Sequence, residues 1–160
     1  VPESHDVLNK DIAFAVIKLL EGVTEGGSGS RLRTQGGGAG DNRWTGYPYM
    51  FTNPIAGKTG TTQNQSDGWF MGMVPNLATG VWVGCEDRSA RFKGITYGQG
   101  ATAALPIWGL FMKKCYDDTS LNVSKKDFER PSNLSIKVDC WAPVVKDSTE
   151  IEQDTDEFAL

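Results

Sequence analysis

Seven consecutive residues, Ala56-Gly57-Lys58-Thr59-Gly60-Thr61-Thr62, hold the densest chemistry in this chain. A lysine there can supply a fixed cation to a cleft, and a threonine hydroxyl can bind a substrate carboxylate. A glycine, having no side chain, lets a ligand backbone come close to a strand and pair with it as an added strand. A phosphate-cradling loop is the rival chemistry for Gly-Lys-Thr, and it fails twice. The loop needs a glycine five positions before Gly57, where Thr52 stands, and a helix after the lysine, where Gly60 and a polar turn follow. The plain alternative is an amphipathic strand with a solvated lysine. That would be the better reading of the bare triplet Lys58-Thr59-Gly60. The setting is longer than the triplet and far less expected by chance: KTGTT is followed by a turn and then by Asp67-Gly68-Trp69-Phe70.

The elements that must position these residues follow from periodicity. Ile55 to Thr62 reads as a strand, Gln63 to Asp67 as a polar turn, Trp69 to Val74 as a second strand and Thr79 to Cys85 as a third. Short connections make this an antiparallel meander. In the third strand, Val81, Val83 and Cys85 share one face and Trp82 and Gly84 the other, so both faces are expected to be partly covered. Asp11 to Leu20 reads as a helix apolar nearly all round, capped by Asn9 or Asp11 and ended by Gly22. Nine glycines between positions 22 and 46 mark a loop. After a polar excursion from Glu86 to Gly100, Ala101 to Tyr116 reads as a helix with Pro106 in its first turns and Lys113 and Lys114 near its end. Residues 117–142 look extended, and no internal repeat is present.

The chain has 160 residues, enough for one domain with a real core. Its net charge of −4 argues against binding nucleic acid through bulk positive charge. The acidity is local. Residues 143–160 hold one base, Lys146, against six acids, and are expected to be a disordered tail, so residues 1–142 form the folded domain. The apolar run Ile12 to Ile17 is far shorter than the ~18 residues that a membrane span needs. The start, Val1-Pro2-Glu3-Ser4-His5-Asp6, has no initiator Met, basic region or cleavage site and reads as a cut inside a longer protein. Cys85, Cys115 and Cys140 form no CxxC pair, and with His5 as the single histidine no metal site is expected. A Cys115–Cys140 disulfide and three unpaired thiols are equally good readings. No cofactor is called for.

The wider pattern resembles the C-terminal part of the transpeptidase domain of class A penicillin-binding proteins. Beyond KTGTT, the similarity takes in Gly27-Ser28-Gly29-Ser30-Arg31-Leu32-Arg33, like the family's GTG-type segment with Ser where Thr is common, and Asn53-Pro54. It continues through Asp67 to Gly72, Thr79 to Gly84, Tyr97-Gly98-Gln99-Gly100-Ala101 and Ala104-Leu105-Pro106-Ile107-Trp108, covering roughly residues 7–130. The resemblance implies an α/β fold. Three antiparallel strands of a five-stranded sheet would lie in this chain, with helices packed on them, and the other strands and an all-helical part would come from upstream. It implies peptidoglycan cross-linking in the bacterial cell envelope, at the periplasmic face of the inner membrane. A nucleophilic Ser is acylated by the D-Ala-D-Ala end of a stem peptide, and β-lactam antibiotics mimic that peptide. Carried over, Lys58 and Thr61 are catalytic: Lys58 tunes the catalytic hydroxyls and the Thr61 backbone N–H is an oxyanion donor. Thr59, Gly60 and Thr61 bind substrate, the two threonines holding its carboxylate and Gly60 keeping the strand edge open.

The departure from the family is equally plain. Its nucleophile motif SxxK occurs nowhere in this sequence, and Ser120-Leu121-Asn122 matches its SxN motif only by letters, downstream of KTG. The chain alone is therefore expected to be inactive and to need the missing N-terminal half of the transpeptidase domain. Without that half, apolar surface is left bare, and self-association or an accompanying chain is expected. A non-catalytic module binding peptide or β-lactam at the strand edge, or part of a D-Ala-D-Ala carboxypeptidase, are the alternatives. Asp67 reads as a turn residue, Trp69, Phe70 and Trp82 as core or sheet-face residues rather than a carbohydrate platform, Glu86-Asp87 as a solvated loop, and Arg88, Arg91 and Lys93 as a small basic cluster. All of this requires Lys58, Thr59 and Gly60 to lie along an exposed β-edge.

Overall fold

Side-chain alternation along three short runs builds the sheet that everything else leans on. The computed structural model describes residues 7–33 and 47–138. Strand β1 spans Ala56–Thr61, β2 Asp67–Val74 and β3 Leu77–Gly84, in the order β1-β2-β3 and antiparallel throughout. Each begins or ends within two residues of the sequence expectation. Register pairs Thr59 with Phe70 and Phe70 with Val81. Paired residues share a face. Thr59, Thr61, Phe70 and Val81 therefore lie on one side of the sheet, and Lys58, Gly60, Trp69, Met71 and Trp82 on the other.

The first side is the core face. Helix α4, Leu105–Asp117, lays Leu105, Trp108 and Met112 on it, all fully buried with Phe70 and Ile55. The Phe70 and Trp108 rings meet edge-on, 5.2 Å between centroids. Glycine makes this contact possible at Gly72, because a Cβ there would lie 2.5 Å from the Trp108 ring. The opposite face was expected to be partly covered. Among the described residues it is open, with Trp69, Met71 and Trp82 43%, 48% and 48% exposed.

The helices differ from expectation in instructive ways. Helix α1 spans Lys10–Glu25 and runs through Gly22. Asn9 caps it, its side chain accepting the Asp11 N–H at 2.8 Å. A glycine inside a helix costs about 1 kcal/mol. What carries α1 past it is tertiary: Thr24 is fully buried and its hydroxyl donates to the Ile55 carbonyl at 2.6 Å. The loop expected over 22–46 is thus helical at its start, and Ser30–Leu32 is a 3-10 turn with Leu32 fully buried. Positions 34–46 lie outside the described residues. The single helix expected over 101–116 is two, because Pro106 has no N–H to continue the ladder: α3, Gly100–Ala103, ends before Ala104, and α4 begins at Leu105 with proline in its first turn. A further short helix, α2, Ile95–Gly98, sits in what read as a polar excursion. Residues 117–138 contain a 3-10 turn, Thr119–Leu121, but no strand. Cys115 is buried and Cys85 exposed. Cys140 and the acidic tail lie outside the described residues, as does His5.

Candidate functional site

Strand β1 is an edge strand: β2 pairs with one side of it, and no strand among the described residues pairs with the other. The triplet Lys58-Thr59-Gly60 is neither helical nor sealed. Lys58 and Thr61 are exposed, and Thr59 and Gly60 are partly exposed.

The phase of the ladder decides which backbone groups face outward. The Thr62 N–H donates across the turn to the Asp67 carbonyl at 3.1 Å. In an antiparallel pair, alternate residues direct their amide groups toward the partner strand. Gly60 and Lys58 therefore point their N–H groups at β2, and Thr59 and Thr61 point theirs away from it, out of the free edge. The Lys58 ammonium folds over that same edge and donates to the Thr59 carbonyl at 2.8 Å. In the middle of this edge stand the Thr59 and Thr61 amides, with no strand to pair with among the described residues. Lys58 reaches the edge from one face of the sheet and the Thr59 and Thr61 side chains from the other.

The hydroxyls are held in place by elements on the core side. The Thr61 hydroxyl accepts the Gly100 N–H at 3.0 Å, so its own proton is free to donate. Gly100 must be a glycine, because a Cβ there would collide with the carbonyl oxygens of Gly60 and Trp69. The Thr59 hydroxyl lies 2.7 Å from that of Ser28, at the end of α1. Sequence reasoning noted the segment 27–33 only as part of a pattern and missed this contact, for which the bracketing of Ser28 by Gly27 and Gly29 was the available signal.

A second cluster braces the β1–β2 turn. Asp67 is not a turn residue but the first of β2, and its carboxylate accepts from Trp82 Nε1 at 3.0 Å, Thr62 Oγ1 at 3.0 Å and Ser66 Oγ at 3.2 Å. Arg88 lies 3.5 Å from it. The Trp82 bond, the Thr62 and Ser66 hydroxyls and the Arg88 charge together hold the Asp67 carboxyl below its ordinary value. Trp69 and Trp82 pair on the open face, with 6.2 Å between centroids. Ser120 is spent locally, bonding to the Asp118 carboxylate. No group of three or more His, Cys, Asp or Glu among the described residues could hold a metal ion.

No family model matches the chain. Penicillin-binding protein 1A of Aquifex aeolicus (strain VF5) is 30% identical over 150 residues, 93% of this chain and 18% of that protein. Its counterpart in Escherichia coli (strain K12) is 31% identical over 118 residues, 67% of this chain and 13% of that protein. The crystal structure of penicillin-binding protein 1A from Haemophilus influenzae matches 79% of this chain and 17% of that one, with a TM-score of 0.57 and 26% identity. The chain spans less than a fifth of the length of the curated relatives it matches. By this similarity over most of its length and by the shared arrangement of sheet and helices, the chain is a homologue of part of class A penicillin-binding protein 1A and has part of the penicillin-binding transpeptidase fold.

Proposed function

We propose that this segment supplies one wall of a serine D,D-transpeptidase site that cross-links peptidoglycan and is acylated by β-lactams. The observation that carries the reading is the free edge of β1, which presents the Thr59 and Thr61 amides between a lysine and two hydroxyls. The acyl-D-alanine end of a stem peptide, or a β-lactam, lies beside this edge as an added strand. Its carboxylate is taken by the Thr59 and Thr61 hydroxyls. A serine from another part of the protein attacks the penultimate carbonyl, and the Thr61 N–H donates to the oxyanion. D-Alanine leaves, and an amine of a neighbouring stem takes the acyl group. Lys58 sets the charge around the catalytic hydroxyls. Gly60 keeps the edge free of side-chain bulk.

In this reading the N-terminal half of the domain is the obligatory partner, and the isolated chain takes no covalent penicillin. The setting is the cell envelope, on the periplasmic side of the inner membrane. No helix among the described residues is long and apolar enough to cross a membrane. The test is labelling by a fluorescent penicillin of a full-length protein carrying this segment. Lys58→Ala lowers the acylation rate about 10²-fold or more, on the scale of losing one preorganised electrostatic contact. Acylation at the wild-type rate would remove Lys58 from the mechanism.

A further inference from the structure

The turn after α1 has no assigned part in the site, yet it delivers a hydroxyl to the middle of it. Ser28 Oγ lies 2.7 Å from Thr59 Oγ1, across 31 positions of sequence. The approach is built, not incidental. The Gly29 N–H returns to the Val23 carbonyl at 2.9 Å, and the Gly27 N–H to the Gly22 carbonyl at 3.1 Å. A Cβ on Gly27 would lie 2.9 Å from Val23 Cα, so the turn folds this tightly only with glycine there, and one on Gly29 would crowd the Val23 carbonyl oxygen at 3.1 Å. Its two ends are anchored. Thr24 bonds to the Ile55 carbonyl just before β1, and Arg33 donates to Thr24 Oγ1 and to the carbonyls of Phe51 and Asn53.

Two hydroxyls this close share one bond. Each has a single proton, so the bond consumes one and leaves the other free to donate outward. An unpaired threonine hydroxyl next to strand carbonyls can turn its proton to any of them. Either hydroxyl can be the donor; a carboxylate on the open side of β1 takes the Thr59 proton, and Ser28 then donates to Thr59. Resting on the reading of β1 given above, we infer that Ser28 is a positioning residue that fixes the Thr59 hydroxyl as a donor to the carboxylate of the bound peptide or β-lactam.

The inference is tested in a full-length protein carrying this segment, by the second-order acylation rates with a penicillin and with its methyl ester. Ser28→Ala lowers the acid-to-ester rate ratio about tenfold, the scale of a hydrogen bond to a charged group. Ser28→Thr keeps the hydroxyl and holds the ratio within about twofold of wild type. A Ser28→Ala protein with an unaltered ratio, whether its absolute rates are normal or equally slowed, overturns the proposal, since a structural defect slows acid and ester alike. Thr59→Val separates the two layers of the argument. If Thr59→Val collapses the ratio and Ser28→Ala does not, the carboxylate site on β1 stands and Ser28 has no part in it. If neither changes the ratio, the assignment of the carboxylate to Thr59 falls, and the role of Ser28 with it.

Discussion

The α4 side of the sheet and the free edge of β1 are built from the same strands to opposite specifications. Against α4, Phe70, Trp108 and Met112 are fully buried, ring meets ring, and glycine is used to let bulk come closer. Along the edge, the Thr59 and Thr61 amides have no strand to pair with among the described residues, and hydroxyls are bonded to one another or to a backbone amide. The first region stores stability. The second presents polar groups outward from the sheet. Substitutions should therefore separate the two: in the core they should act on unfolding, and at the edge on acylation.

Trp108→Ala makes the sharpest break on the stability side. Removing a fully buried indole at the centre of the cluster should cost about 3–5 kcal/mol, read as a lower denaturation midpoint of a full-length protein carrying this segment. A cost below about 1 kcal/mol would mean that α4 does not depend on this contact. Lys58→Ala is the counterpart at the edge, where the same denaturation experiment should show a change within about 0.5 kcal/mol while acylation collapses.

Gly72→Ala comes next. Its Cβ would drive into the Trp108 and Phe70 rings, and overpacking of this kind should cost about 1–3 kcal/mol in the same measurement. Thermal stability equal to wild type would show that the rings shift aside freely.

Asp67→Asn has the smallest effect, and a pH-dependent one. The folded protein holds this carboxyl below its ordinary value of 3.8, chiefly through the Trp82 bond and then Thr62. A lowered folded value means that the stabilisation is complete above the unfolded value and is lost as pH falls through the folded one. Wild type should therefore lose stability below about pH 4 more steeply than Asp67→Asn, followed by melting temperature from pH 7 to pH 3. Parallel curves would show that the carboxylate does not brace the turn.

Much of the fold was legible. Alternation located all three strands to within two residues, since a period of 2 with a turn at each end fits an extended strand and little else. The helices were less so. A glycine at position 22 argues for a helix end on local grounds, and only the burial of Thr24 against Ile55 shows why α1 continues. Asp67 next to Gly68 carries a turn signal, but its partners Trp82 and Arg88 stand 15 and 21 positions away, beyond any local pattern. Bare apolar surface was expected from the missing upstream half, but not which face would carry it: alternation in the third strand had both faces partly covered, and among the described residues nothing is placed over Trp69 and Trp82.

Local chemistry by itself determined that Lys58 to Thr61 lie on a strand with Lys58 on one face and Thr59 and Thr61 on the other, because side chains alternate along any extended backbone. Tertiary structure decided that this strand is an edge, that the Thr59 and Thr61 amides point out of it, and that Ser28 reaches Thr59. Those three facts depend on which strand pairs with β1, on the phase of the ladder and on where α1 ends, and each is set by contacts between residues distant in the chain.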